Sequence, residues 1–256
     1  MTDHAVRTVL VVGATGRIGR LVVASALRHG HDVRALVRDE QRAAGVLPGA
    51  TLVQGDLTRV ADLIAALAGV DAVILAHGSS GYGARELEAV DYGAIANLLT
   101  ALNGRRVRVA LMTSINVNER SGAYSDVLDW KRRGERLLRA SGLPYTIVRP
   151  GWFATPGAGT QAVVLEQGDT RHGDQVDTRQ VAEALVQAII SDAAVAKTFE
   201  LFAARGPAPE DWAPLFGHLD ADLPGSLDGA HDRPNMPVGT EPARVRTDLE
   251  RLGRRS

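Results

Sequence analysis

Gly13, Gly16 and Gly19 stand at three-residue intervals directly after the apolar run Val9 to Val12. Glycines in that arrangement can hold a phosphate. Without Cβ atoms, Gly13 and Gly16 let the backbone turn tightly and come close to an anion, while Gly19 lets a following helix pack against the strand. That helix begins with free N–H groups and about half a positive charge, so a pyrophosphate is its natural occupant. Thr15, Arg17 and Ile18 share the turn and are expected to bind the same cofactor.

Arg38 lies nineteen residues after Gly19, where a dinucleotide site selective for NAD places a carboxylate on the adenosine ribose 2′-hydroxyl. An arginine there would instead meet a 2′-phosphate. Arg17 is a second cation for that charge and Arg42 a third, so the reading favours NADP, while Asp39 keeps NAD open. His77 follows another apolar run and could protonate a substrate; a backbone contact with the cofactor is the plainer expectation. No pair of His, Asp or Glu residues at ligand spacing suggests a metal, and no glycine-framed serine suggests a hydrolase.

Positioning these residues takes a strand, a turn and a helix, repeated. Ile18, Leu21, Val22 and Ala26 mark the first helix face, and His29-Gly30 stops it. Strands are predicted at about 31–37, 51–53, 72–75, 107–112 and 145–148, with helices at about 41–47, 60–68, 86–102 and 124–141 between them. Residues 79–83 read as a glycine-rich loop. Repeated βαβ units give an α/β fold, a doubly wound parallel sheet with helices on both faces. Its ligand edge is the carboxyl ends of the strands, here Gly13 to Gly19, Arg38, Asp56-Leu57, Ala76 to Gly78, Thr113-Ser114 and Pro150 to Phe153.

Over residues 6–204 the chain resembles the short-chain dehydrogenase/reductase superfamily, in its atypical NAD(P)H-binding, NmrA-like and flavin-reductase-like branch. The carriers are VVGATGRIG at Val11 to Gly19, ALVR at Ala35 to Arg38, QGDL at Gln54 to Leu57, TS at Thr113-Ser114, WKRRGE at Trp130 to Glu135 and SGLPYTIVRPG at Ser141 to Gly151. The resemblance implies a Rossmann fold, with Asp56 and Leu57 beside the adenine, Ala76 to Gly78 along the ribose, Thr113, Lys131 and Trp152 at the cofactor, and Pro150 and Gly151 against the nicotinamide. It also implies catalysis by Ser, Tyr and Lys, in which lysine lowers the tyrosine pKa for proton exchange with the reacting oxygen. Ser114 and Lys131 match. Val127, however, stands four residues before Lys131 where the tyrosine belongs; Tyr124, seven before, shares the face only if the helix has begun there.

Composition narrows the remaining choices. The 256 residues carry a net charge of -1 and no cysteine, which gives no reason to expect nucleic acid, an anionic membrane, disulfides or thiolate metal sites. No apolar leader or spanning run is visible, so a cytoplasmic monomer or homodimer acting on a small molecule is expected. Trp152, Phe153 and residues 155–159 are expected to wall the substrate pocket, 163–165 to add a short strand, and Asp177 or Thr178 to cap a helix reaching Ile190. Residues 1–205 read as the dinucleotide-binding domain and 206–256 as an extension: a helix near 210–219, an extended or mobile arm over 220–240 and a short charged helix at 241–252. The function expected is an NADP(H)-dependent oxidoreductase moving hydride to or from a small carbonyl, quinone or flavin-like substrate. The alternatives are a nucleotide-retaining epimerase or isomerase, and an NADP-binding redox-sensing regulator without turnover.

Overall fold

In a computed structural model, which describes residues 6–79, 83–122, 124–154 and 160–254, Val9, Leu10, Val11 and Val12 are all buried. Successive side chains of a strand point to opposite faces. Val9 and Val11 enter one core with Val22 and Leu185, while Leu10 and Val12 enter a second with Ile95 and Leu137. Helices therefore cover both faces.

Strand β1 (Thr8–Val12) leads into α1 (Arg17–Arg28), followed by β2 (Asp32–Val37), α2 (Glu40–Ala44), β3 (Thr51–Gln54), α3 (Val60–Ala66) and β4 (Ala72–Leu75). Next come α4 (Ala84–Leu87), a π-helical turn (Glu88–Tyr92), α5 (Gly93–Leu102), β5 (Arg108–Met112), α6 (Ser125–Ala140) and β6 (Tyr145–Pro150). The chain continues through β7 (Trp152–Ala154), β8 (Ala162–Glu166), β9 (Gln175–Asp177), α7 (Thr178–Ile190), β10 (Lys197–Ala204), α8 (Ala213–Gly217) and α9 (Ala243–Gly253). Among the described residues, eight strands form one sheet in the order β3-β2-β1-β4-β5-β6-β10-β8, with β8 antiparallel to β10 and the other pairs parallel. Strand order reverses between β1 and β4. There the loops after the two strands part and leave a crevice.

Three elements differ from the sequence expectation. The helix expected over 86–102 is broken by the five-residue π turn, which turns Asp91 inward and brings its backbone under Gly134 of α6. A Cβ on Gly134 would stand 2.7 Å from the Asp91 carbonyl oxygen, so the close packing depends on glycine. The helix expected near 210–219 shortens to α8, opening at Pro214, although Trp212 and Phe216 still dock in the core.

The arm over 220–240 is not loose. It is irregular, as its prolines require, but it lies along α6 and lodges Met236 in the interior. The arginines of α6 explain this: Arg136 is buried against Asp228 and Arg139 against Asp222, both in the arm, and the half-buried Arg133 meets Glu241 just beyond it. Residues 80–82 of the glycine-rich loop and 155–159 of the expected pocket wall lie outside the described residues. Among the described residues, no helix is long and apolar enough to cross a membrane.

Candidate functional site

A cleft of about 290 Å³ opens at the strand-order reversal. Gly13, Thr15, Gly16, Arg38, Asp56, Leu57, Ala76, His77 and Gly78 all line it, so the structure brings these nine expected residues together. Gly13 has φ +82, and a Cβ there would stand 2.8 Å from the Ala76 and His77 backbone. A Cβ on Gly19 would lie 2.0 Å from the Gly13 carbonyl oxygen. Gly16 occupies the N-cap of α1 without a side-chain cap, and the first turn holds no acidic residue. The helix end is thus open to an external anion.

The remaining residues expected at the turn divide between core and surface. Ile18 is buried in the core, so it offers this cleft its backbone N–H. Arg17 is exposed, with its guanidinium 5.7 Å from the centre of the Phe153 ring.

At the opposite end of the cleft, the Asp39 carboxylate accepts the Arg42 backbone N–H at 2.9 Å and caps α2. That ties the acid next to Arg38 in sequence to the start of α2. Asp56 accepts from the Thr58 N–H at 2.8 Å and hydroxyl at 2.7 Å, and those bonds, aided by the Arg38 charge, hold its carboxyl below the usual range.

Lys131 reaches the cleft from α6. Its Nζ lies 2.8 Å from Asp91 Oδ1 and 3.5 Å from where a Cβ on Gly78 would be. Asp91 also accepts from the Ser79 hydroxyl at 2.5 Å. The buried His77 makes a 3.1 Å bond from Nε2 to the Val90 carbonyl, so Nε2 carries the hydrogen and Nδ1 is a buried acceptor with no partner among the described residues. Burial and the Lys131 charge push its pKa down to about 4, which keeps the ring neutral. Asp91 escaped the sequence reading, because Glu86 and Glu88 stand in the same expected helix and nothing local sets it apart from them.

The residues expected to act with Lys131 lie elsewhere. Tyr124 sits at the N-cap of α6 with φ -108 and ψ 4, outside the helix, and is 56% exposed. It lines a second cavity of about 370 Å³ with Asn116, Ser121 and His172. Ser114 is half-buried in the loop after β5. The Thr113 hydroxyl donates to Glu135 at 2.6 Å and its N–H to the Val148 carbonyl at 2.9 Å, so both of its donors are engaged. Gly151 is pressed between neighbours: a Cβ there would be 2.5 Å from the Asp174 carbonyl oxygen. Pro150 is buried at the end of β6, and the exposed Trp152 donates its indole N–H to the His172 carbonyl at 3.1 Å.

Beneath these loops lies a buried ionic cluster. Arg149 donates to both oxygens of Glu135, both oxygens of Asp232 and one oxygen of Glu200, at 2.6 to 3.1 Å. Glu200 also accepts the Asp169 N–H at 3.0 Å, and Asp169 accepts the N–H groups of Asn116 at 2.6 Å and Asn118 at 2.8 Å. The cluster thereby ties the loop after β5 to the loop after β8 and to strands β6 and β10. An arginine inside the apolar strand YTIVRP was the sequence sign of it.

A family model described as NAD(P)H-binding matches residues 13–192. Protein TIC 62 of Pisum sativum is 34% identical over 227 residues, covering 76% of this chain and 42% of that protein. Photosystem II assembly factor Ycf39 of Synechocystis is 31% identical over 207 residues, covering 77% of this chain and 63% of the factor. The chain thus spans less than two thirds of the length of either relative. Among solved structures, the oxidoreductase ylbE of Lactococcus lactis superposes with a TM-score of 0.70 at 20% identity, over 84% of this chain and 100% of that one, a likeness of fold.

Proposed function

The chain belongs to the NAD(P)H-binding family, and from that premise we propose that it is an NADP(H)-dependent oxidoreductase acting on a small carbonyl, quinone or flavin-like acceptor. The observation that carries the NADP preference is the pairing of Arg38 on the cleft with an Asp39 already engaged in capping α2. The glycine cradle, which any Cβ at Gly13 or Gly19 would fill, fits a dinucleotide. In this reading the turn at Gly13 to Gly19 holds the pyrophosphate, and Arg38, with Arg17 and Arg42, receives the 2′-phosphate. Asp56 and Leu57 border the adenine, while Ala76 to Gly78 and Lys131 hold the ribose on the nicotinamide side. Pro150, Gly151, Trp152 and the backbone of Thr113 bound the ring, and Ser114 with Tyr124 faces the acceptor. Bound nicotinamide supplies the hydride chemistry. The neutral His77 keeps a buried acceptor at the cleft, and Asp91 fixes the Lys131 ammonium. The protein works in this proposal as a cytoplasmic monomer or homodimer.

Calorimetric titration of the whole chain tests the cofactor assignment. NADPH should bind at least tenfold more tightly than NADH, and equal affinities defeat the NADP reading. A second reading, a nucleotide-binding regulator without turnover, is favoured by Val127 at the tyrosine position. Oxidation of NADPH by any member of a panel of quinones, flavins, aldehydes and ketones decides against it.

A further inference from the structure

His172 escaped the sequence reading, and the structure surrounds it with the features of a proton-handling residue. Its Nδ1 lies 2.6 Å from the side-chain oxygen of Asn116. A carbonyl oxygen only accepts, so Nδ1 carries the hydrogen and Nε2 is left to exchange protons. The ring lines the second cavity, where Tyr124 stands opposite. Both of its supports are fixed from behind. Asn116 is held in a left-handed conformation, φ +69, by its backbone N–H bond to the buried Asp169, and the His172 carbonyl is bonded by the Trp152 indole.

The position is as informative as the ring. Residues 172–174 lie on the backbone of Gly151 and Trp152: the Trp152 N–H donates to the Asp174 carbonyl at 3.0 Å, beside the 2.5 Å approach at Gly151. His172 thus joins the loop after β5, which carries Ser114, to the loop after β6, where the proposed function places the nicotinamide. Tyr124 in the same cavity and Trp152 on the His172 carbonyl expose aromatic surface beside it, which suits a planar conjugated carbonyl.

Resting on the oxidoreductase reading above, we propose that His172, oriented by Asn116, is the proton donor to the carbonyl oxygen of a conjugated substrate such as a quinone. As the substrate accepts a hydride from a reduced nicotinamide, negative charge develops on its oxygen. The Nε2–H bond of protonated His172 breaks as the O–H bond forms. The neutral ring regains a proton from water at its exposed edge, so the net consumption is one hydride from the cofactor and one proton from solvent. Asn116 is a positioning residue in this scheme. The charged and titratable groups around the ring are Arg171 and Asp174 on its own segment, paired with each other, with Glu166 on Arg171 at 2.6 Å, Glu119 on the facing loop, and the Tyr124 phenol.

The test uses the full chain with menadione as the probe. NADPH affinity is measured by titration, the His172 ring proton by NMR as menadione is added to the NADP-loaded protein, and single-turnover NADPH oxidation across pH. The ring signal should move, and His172→Gln should leave NADPH affinity within about twofold while slowing turnover about 100-fold and removing the alkaline decline in rate. Asn116→Gly, which accepts the positive φ, should lower the rate less. Asn116→Asp, which keeps an acceptor and adds a negative charge, should move the decline to higher pH. An unmoved ring signal, or a His172→Gln variant with unchanged rate and pH profile, overturns the assignment. Absence of NADPH binding to the unmodified chain would instead remove the cofactor reading on which it rests.

Discussion

Arg149 meets Glu135 edge-on, its Nε and Nη2 donating to the two carboxylate oxygens at 3.1 and 2.6 Å, with neither side chain reaching solvent. Its other edge meets Asp232 with both contacts at 2.7 Å. A guanidinium buried this deeply is tolerated because every N–H is used and the charge is compensated on both sides. Burial alone would lower the Arg149 pKa, but Glu135 and Asp232 reverse that and hold it well above its ordinary value. Breaking such an arrangement from one side leaves buried guanidinium N–H groups without acceptors and part of the charge compensation lost. Asp232→Ala should therefore cost about 3–5 kcal/mol in urea unfolding; a loss under about 1 kcal/mol, typical of exposed pairs, contradicts the account.

Glu200 gives the cluster a pH dependence. Burial, the largest influence, raises its carboxyl to about 7 against the pull of Arg149. Between the unfolded carboxylate value of about 4.3 and that folded value, the native state holds a proton that the unfolded state has released, so stability falls as pH rises through this window. His77, pushed down to about 4, contributes with the opposite sign up to about 6.5, so the comparison must be with a variant that retains it. Glu200→Gln should lack the Glu200 component, gaining on the order of 3 kcal/mol relative to the unmodified chain between about pH 4 and about pH 8. A difference that does not change with pH is the contrary result.

The fold was readable because its signals are local. Four consecutive apolar residues, a glycine triplet and a matching helix face name a βαβ unit without knowledge of distant residues, and the same holds for the Asp177 cap of α7. The nine cleft residues were legible for the same reason, since each ends a strand whose place in the sheet follows from its order. What stayed hidden depends on partners far along the chain. Arg136 reads as a surface residue until Asp228, ninety-two positions away, is placed against it. His172 sits in an irregular loop and acquires meaning only from Asn116, fifty-six positions earlier.

Gly19 is the position at which the cradle has least room. A Cβ there would stand 2.0 Å from the Gly13 carbonyl oxygen and 2.7 Å from its carbon, both backbone atoms that cannot rotate away. Gly19→Ala must push α1 off the turn. The expected result is loss of measurable NADPH binding by calorimetry with a folded far-ultraviolet spectrum, whereas retention of affinity within threefold shows that the turn can shift freely.

Arg38 should decide between the two nicotinamide dinucleotides. Asp39 is turned to the cap of α2 while Arg38 lines the cleft, so in the proposed site Arg38 meets the 2′-phosphate. Arg38→Asp removes a charge-assisted contact worth roughly 1.5–3 kcal/mol and installs an acceptor suited to a 2′-hydroxyl. NADPH affinity should fall about tenfold or more while NADH affinity holds or rises. Parallel losses for both cofactors would locate the 2′-phosphate elsewhere.

Truncation after Asp220 tests whether the C-terminal segment is an appendage or part of the body. From sequence, a stretch with Pro224, Pro234, Pro237 and Pro242 and few large apolar residues should be dispensable to the dinucleotide site. The structure argues otherwise. Asp222, Asp228, Asp232 and Glu241 all lie beyond the cut, and they neutralise Arg139, Arg132, Arg136, Arg133 and Arg149, while Met236, Val245 and Leu249 complete apolar packing. Removing them takes the described carboxylate partners of Arg132 and Arg136 away and strips one each from Arg133 and Arg139, and α6 carries Lys131. The truncated chain should lose on the order of 5 kcal/mol or more, comparable to the whole stability of a domain, and should show no NADPH-dependent rise in its melting temperature. In the full-length chain Asp228→Asn, which keeps the shape and removes the charge, should reproduce a part of the loss while retaining that rise. A truncated chain that melts within a few degrees of the full one and is still stabilised by NADPH would show that the cluster beneath the loops holds without its C-terminal carboxylates.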